Sequence, residues 1–267
     1  MKKHILVTGS TDGIGKLTAT ALASQQHHVY IHGRNATKVR QTVEEIKESS
    51  NNPNIEGFVT DLSDLKQTKN LSSEIMKRTK HLDVLINNAG IYHNKENNVG
   101  GLDARFVVNY LTPYILTLEL ASALKNSKNA RIINLSSAAQ AAVSLEALTG
   151  NKQISVGEGY AQSKLALTMW SNYLSKQWPE QTIIAVNPGS LLNTKMVQEA
   201  FGHHWSSAEK GANILVSLAI DDIHGNHSGD YFDNDNGTYS QAHPDIYNEA
   251  KQAQLIDATE KLLIAYE

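Results

Sequence analysis

Cysteine is absent from the 267 residues, which excludes disulfides, thiolate catalysis and cysteine-based zinc or iron–sulfur sites. A charge excess of either sign is missing too. The 24 Lys and Arg against 27 Asp and Glu leave a formal charge of −3, so there is no general attraction for nucleic-acid phosphates or anionic lipid. No run approaches the roughly 18 consecutive apolar residues of a membrane span. The apolar stretch His4–Thr8 is ended by Gly9, too soon to serve as the core of a signal peptide. These absences lead us to expect a cytoplasmic protein with no membrane span and no nucleic-acid partner. The 11 histidines include His203-His204 and the pair His224 and His227, but no His-Glu-x-x-His pattern accompanies them. They read as loop side chains on a solvated surface, and no metal is expected. Asp233–Asn236 lacks the remaining ligands of a calcium loop and reads as a polar turn.

What is present is an alternation. Apolar runs of strand length at His4–Thr8, His28–His32, Ile55–Val59, Val84–Ile86, Arg131–Leu135, Ile183–Val186 and Tyr231–Phe232 are separated by stretches of helical period. The helical stretches are Gly13–Ser24, Ala36–Lys47, Asp64–Lys80, Leu102–Leu124, Gly159–Gln177, Ala208–Ala219 and Asp245–Ala265. Alternation of this kind implies a parallel sheet with helices on both faces. The strands are continuous apolar runs, as expected when both faces are covered. No linker, repeat or low-complexity tract divides the chain, so residues 1–267 read as one domain.

The turn after the first strand reads Thr8-Gly9-Ser10-Thr11-Asp12-Gly13-Ile14-Gly15. Glycines between a strand and a helix let the backbone approach a pyrophosphate, and the helix N-terminus offers free N–H groups and a positive dipole to that anion. The second strand ends His32-Gly33-Arg34, without the carboxylate that would bind a ribose 2′-hydroxyl and repel a 2′-phosphate. Arg34 carries a planar fork suited to phosphate, with Lys38 one helical turn further on. NADP(H) is therefore the expected cofactor, with NAD(H) as the alternative.

Tyr160 and Lys164 stand four residues apart in the Gly159–Gln177 helix, on one face. A phenol with its ordinary pKa of about 10 is a poor base at neutral pH, and bringing it there takes on the order of 4 kcal/mol of preferential phenolate stabilisation. A partly desolvated ammonium can supply much of that, so a lowered Tyr160 pKa is expected.

Taken together these motifs resemble the short-chain dehydrogenase/reductase family, from about Lys3 to Phe232. The family's Thr-Gly-x-x-x-Gly-x-Gly pattern is met by Thr8, Gly9, Gly13 and Gly15, its Asn-Asn-Ala-Gly motif by Asn87–Gly90, and its Pro-Gly after the sixth strand by Pro188-Gly189. The resemblance implies a doubly wound (Rossmann) parallel sheet of about seven strands. It implies a catalytic tetrad of Asn109, Ser137, Tyr160 and Lys164, with Ser137 preferred over Ser136. It also implies cofactor contacts from Gly9, Thr11, Gly13, Ile14, Gly15, Asp61, Leu62, Asn88, Ala89, Gly90, Pro188, Gly189 and Thr194, besides Arg34, Tyr160 and Lys164. An asparagine at Asn109 in mid-helix is locally unfavourable and calls for such a reason.

The implied activity is hydride transfer between nicotinamide and a carbonyl/alcohol pair. A non-catalytic redox sensor on the same fold is the alternative. Ser137 and Tyr160 are separated by 23 positions, more than in many members. With Gly33-Arg34-Asn35 and Arg105–Tyr110, this resembles the retinol-dehydrogenase-like branch. Thr194 lies one place later after Pro-Gly than is usual. Leu165, Leu167, Met169, Trp170 and Leu174 give the tyrosine helix enough apolar surface for core packing and, beyond it, for a homodimer.

Overall fold

The computed structural model describes residues 2–93 and 96–266. The strands are β1 (His4–Val7), β2 (His28–Gly33), β3 (Ile55–Val59), β4 (Val84–Asn87), β5 (Asn98–Val99), β6 (Leu102–Asp103), β7 (Arg131–Leu135), β8 (Thr182–Asn187), β9 (Tyr231–Asp233) and β10 (Thr238–Ser240). Eight of them form one sheet in the order β10-β9-β8-β7-β4-β1-β2-β3. All neighbours in it are parallel except β10, which returns antiparallel on β9. The seven expected strands are there. The eighth, β10, is a three-residue return beyond the expected set, and β5 and β6 form a separate small hairpin.

Side-chain alternation along the strands feeds two cores. Ile5, Val7, Val29, Ile31, Ile86, Ile133 and Val186 point to one face, covered by α1 (Gly13–Ser24), α2 (Ala36–Ser50) and the helix Ala208–Ile220. Leu6, Tyr30, Leu85, Ile132 and Ile183 point to the other. That face is covered by α3 (Leu65–Arg78), by a broken helical stretch, and by the long helix Val156–Gln177. The stretch expected as one helix over Leu102–Leu124 is in fact β6, α4 (Ala104–Phe106), a π turn at Val107–Leu111, α5 (Thr112–Glu119) and α6 (Ala121–Lys125). Two short helices follow in segments of weak periodicity, α7 (Leu145–Leu148) before the long helix α8 (Val156–Gln177), and α9 (Lys195–Phe201) before α10 (Ala208–Ile220). The last expected helix starts later than its periodicity suggests. Pro244–Tyr247 forms a 3-10 turn, and α11 (Glu249–Ala265) follows.

The helix α8 starts at a capping box. Ser155 accepts from the Glu158 N–H, and the Glu158 carboxylate accepts from the Ser155 N–H. Its apolar residues Leu165, Leu167, Met169, Trp170 and Leu174 are each no more than 3% exposed within the single chain. All five are consumed by the core, which leaves none of them to a second copy. α11 closes over the same side of the molecule. Thr259 meets the Tyr110 hydroxyl at 2.8 Å, and Gln252 donates to Asn172 at 2.8 Å. No helix among the described residues is long and apolar enough to cross a membrane.

Two readings of polar loop residues need correction. His224 is buried, with Nδ1 2.7 Å from the Tyr239 hydroxyl and Nε2 3.0 Å from the Ser217 hydroxyl. Asp233 and Asp235 are more than a polar turn. Asn187 donates to both carboxylates at 2.9 Å, which ties β8 to the end of β9.

Candidate active site

The chain order reverses direction across the sheet at β1, which has β2 on one side and β4 on the other. Ligands of doubly wound sheets bind beyond the carboxyl ends of the strands at such a point. The loops there carry Thr8–Gly15, Gly33-Arg34, Asn87–Gly90, Ser136-Ser137 and Pro188–Thr194.

The glycine turn is built as the motif requires. Gly9 and Gly13 have φ of +64° and +54°, a region that side chains disfavour. A methyl on Gly15 would collide with the Asn88 side chain and the Gly9 carbonyl. Asn88 donates to the Thr8 and Gly9 carbonyls at 2.7 and 3.1 Å, and the Ala89 N–H donates to the Thr8 hydroxyl at 3.0 Å. Asp12 caps α1 by accepting from the Gly13 N–H. Ile14 packs near Gly211 of α10. On the β2 side, a side chain at Gly33 would run into Thr11 at 2.6 Å. Their close packing sets Arg34 beside the turn. Arg34 is exposed and makes no hydrogen bond or ion pair among the described residues, whereas Lys38 stands 3.9 Å from Asp12. After β3, Asp61 accepts from the Ser63 N–H and hydroxyl, and the Leu62 carbonyl accepts from Thr112 at 2.7 Å.

His32 belongs to this assembly although its strand pattern shows only a polar residue in a buried run. It is 3% exposed, Nδ1 accepts from the Gly9 N–H at 3.0 Å, and Nε2 is left to donate to the Thr60 carbonyl at 3.1 Å. Burial brings its pKa down to about 4. The folded chain therefore refuses a proton that the unfolded chain accepts below about pH 6.5. Stability is full above that point and falls as the pH drops from about 6.5 towards 4, by up to roughly 3 kcal/mol. Urea unfolding at pH 7.5, 6 and 5 should show a flatter acid loss in His32→Asn than in the parent. Identical slopes would remove His32 from the proton balance.

The proposed tetrad converges on the other side of the turn. Lys164 is 4% exposed, and its ammonium donates to the Leu135 carbonyl at 2.7 Å and lies 5.6 Å from the centre of the Tyr160 ring. Gly90 sits against both Lys164 Nζ and Asn109 Oδ1. Asn109, in the π turn, accepts from the Ile91 N–H at 2.8 Å and donates to the Ile91 carbonyl and the Ser163 hydroxyl at 3.0 Å. Ser163 in turn donates to the Tyr160 carbonyl. The side chain of Asn109 thus locks the loop after β4 to the turn of α8 that carries Tyr160. Ser136 faces inward, 2.6 Å from the Thr168 hydroxyl. Ser137 lies beside Tyr160, and its hydroxyl favours the phenolate. Its oxygen also accepts from the Ala139 N–H at 3.1 Å. Tyr92, not singled out by the sequence, tilts its ring 5.0 Å from that of Tyr160.

The electrostatics differ from the expectation. Burial holds the Tyr160 phenol above its ordinary pKa, with Ser137 opposing and Tyr92 adding to the rise. The lysine gives way instead, and burial brings Lys164 down to about 8. The Leu135 carbonyl takes one donor of the ammonium, which lies 5.6 Å from the ring centre, and desolvation dominates the Tyr160 shift. At neutral pH Tyr160 is a proton donor, and Lys164 is still mostly charged.

The loop after β8 is braced by the far edge of the sheet. Asp235 accepts from the Ser190 N–H at 2.8 Å, and Asn234 donates to the Pro188 carbonyl at 2.8 Å. Gly189 turns with φ of +122°. Thr194 caps α9 by accepting from the Val197 N–H, and its methyl lies over Gly13. The one-place shift after Pro-Gly therefore still sets Thr194 against the glycine turn.

The chain is similar to known proteins. The family model for short chain dehydrogenases matches residues 3–204. Retinol dehydrogenase 12 of Bos taurus is 33% identical over 204 residues, covering 74% of this chain and 64% of that protein. Retinol dehydrogenase 12 of Mus musculus is 32% identical over 245 residues, covering 86% and 77%. Human polyprenol dehydrogenase is 34% identical over 207 residues, covering 73% and 62%. Among solved structures, salutaridine reductase of Papaver somniferum superposes with a TM-score of 0.70 at 23% identity, over 86% of this chain and 99% of that one. A short chain dehydrogenase structure from Shigella flexneri in complex with NADP gives a TM-score of 0.70 at 25% identity, over 87% and 96%. With the glycine turn, the Asn87–Gly90 loop and the Ser137, Tyr160 and Lys164 cluster at one sheet end, the chain belongs to the short-chain dehydrogenase family.

Proposed function

We propose that this chain is an NADP(H)-dependent carbonyl reductase or alcohol dehydrogenase. The observation that carries the reading is the convergence of Ser137, Tyr160 and Lys164 beside the glycine turn, with Asn109 anchoring the loops between them. The turn would hold the pyrophosphate on the N–H groups of α1. Arg34 would take the 2′-phosphate with its unpaired guanidinium. The bound dinucleotide supplies or accepts the hydride.

In the reductive direction Tyr160 gives its phenolic proton to the substrate oxygen as negative charge grows there. Ser137 has one lone pair occupied by Ala139, which leaves its O–H to point at that same oxygen and stabilise it. Lys164 has three donors, of which Leu135 takes one. The remaining two can serve a cofactor ribose hydroxyl and a water that returns the proton to Tyr160. Burial raises the tyrosine and keeps it in the protonated, donating form near neutrality.

The substrate class is read from the relatives. Their names specify retinol and polyprenol, both long apolar alcohols, and all-trans-retinal is the first probe for this chain. The test has two arms, fluorescence titration with NADPH and with NADH, and turnover of all-trans-retinal, benzaldehyde and acetophenone with the tighter cofactor. Tighter NADPH binding and carbonyl-dependent oxidation of NADPH are expected. Tighter NADH binding would overturn the cofactor assignment. Binding with no turnover of any probe would favour a dinucleotide sensor.

A further inference from the structure

Ser137 is held by more than its own strand. Its backbone carbonyl accepts from two side chains, the Tyr231 hydroxyl on β9 at 3.1 Å and Gln140 Nε2 at 3.0 Å. A carbonyl oxygen offers two lone pairs, and both are therefore taken. Gln140 is itself fixed from the C-terminal side, because its Oε1 accepts from the His243 N–H at 3.2 Å. β9 is two strands away from the β7 end that carries Ser137. The clamp thus joins the serine to the far edge of the sheet and to the segment leading into α11. Tyr231 is largely buried, and burial with Asp233 and Asp235 nearby keeps its phenol protonated. It stays a donor at every working pH.

Resting on the reading of Ser137 as the group that orients and polarises the substrate oxygen, we propose that Tyr231 and Gln140 are positioning residues for the reaction, clamping the Ser137 carbonyl so that its hydroxyl faces Tyr160. Without the clamp the Ser137 carbonyl loses both side-chain anchors, and the Ser137 hydroxyl samples directions that do not meet the substrate oxygen. Misplacement of a catalytic group by a fraction of an ångström is enough to slow chemistry without weakening cofactor binding.

The test compares the parent, Tyr231→Phe, Gln140→Met, Ser137→Ala and the two combinations with Ser137→Ala. Single-turnover NADPH oxidation is measured with whichever carbonyl probe above reacts fastest. Tyr231→Phe is expected to lower the hydride-transfer rate about five- to tenfold, the scale of one lost hydrogen bond. Gln140→Met should lower it by a similar factor. NADPH affinity and the melting temperature should remain near those of the parent. In the Ser137→Ala background the same changes should alter the rate less than about twofold, because the group they act through is gone. The apparent pKa of the alkaline limb should move upward in Tyr231→Phe, as in Ser137→Ala, since both disturb the Ser137 hydroxyl that favours the Tyr160 phenolate. Equal losses in both backgrounds, or an unmoved pH profile, would overturn the clamp and leave the tetrad intact. Parent-like rates in Ser137→Ala itself would overturn the reading of the site and the clamp with it.

Discussion

Tyr160→Phe should lose about 10²–10⁴-fold in turnover, the usual range for removing a general acid, while NADPH affinity changes by no more than a few-fold. Phenylalanine keeps the ring that packs against Tyr92 and below Lys164. The change therefore removes the proton donor and its electrostatic contact with the Ser137 hydroxyl and little else. Tyr160 is also where the energetic argument is sharpest. Burial has already raised the phenol, so Tyr160 holds its proton at neutral pH and stands ready as the donor in reduction. Steady-state rates with the parent and the variant, alongside NADPH titrations of both, decide the matter. A variant that turns over at the parent's rate would mean that another group donates the proton. A variant that no longer binds NADPH would mean that Tyr160 is a binding residue first.

Arg34→Ala should weaken NADPH by about 10- to 100-fold, the worth of a charged hydrogen-bonded pair of about 1.5–3 kcal/mol. NADH, which lacks the 2′-phosphate, should be affected less than about threefold. Arg34 is exposed and has no hydrogen bond or ion pair among the described residues to lose, so the difference between the two cofactors isolates the phosphate. Raising the salt concentration should erode the NADPH preference of the parent more than that of the variant, because the site is exposed and screened. Equal weakening of both cofactors would assign Arg34 to the shape of the turn instead.

The parts of the site that could be read from the sequence are those whose contacts are local. The spacing of Gly9, Gly13 and Gly15 is set by one turn between β1 and α1, and that of Tyr160 and Lys164 by one turn of α8. The strands were legible because both cores draw on alternate residues of continuous apolar runs. What stayed hidden depends on distant partners. His32 reads as strand until Gly9 and Thr60 are brought to either side of its ring. Asp235 reads as loop until it meets Ser190, 45 positions away. Tyr231 looks like a core tyrosine until its hydroxyl reaches Ser137 across 94 positions. The direction of the Tyr160 shift was missed for a related reason. Spacing shows that an ammonium is near, but it cannot show how strongly burial desolvates the phenol.

The π turn at Val107–Leu111 acts as a phase shifter. A π turn carries about one residue more than an α turn, and each residue of an α-helix advances by roughly 100°. Asn109 can therefore look towards Ile91 and the catalytic side while Tyr114, five residues on, looks towards Trp170 and Glu260. A straight helix of the same sequence would turn one of these two away from its partner. Deleting a single residue between 107 and 111 would restore that straight helix and preserve every neighbouring side chain by type. With the extra residue gone the two ends would stay in register, but without the widened turn that holds Asn109, so the length of this five-residue segment carries information that its composition does not.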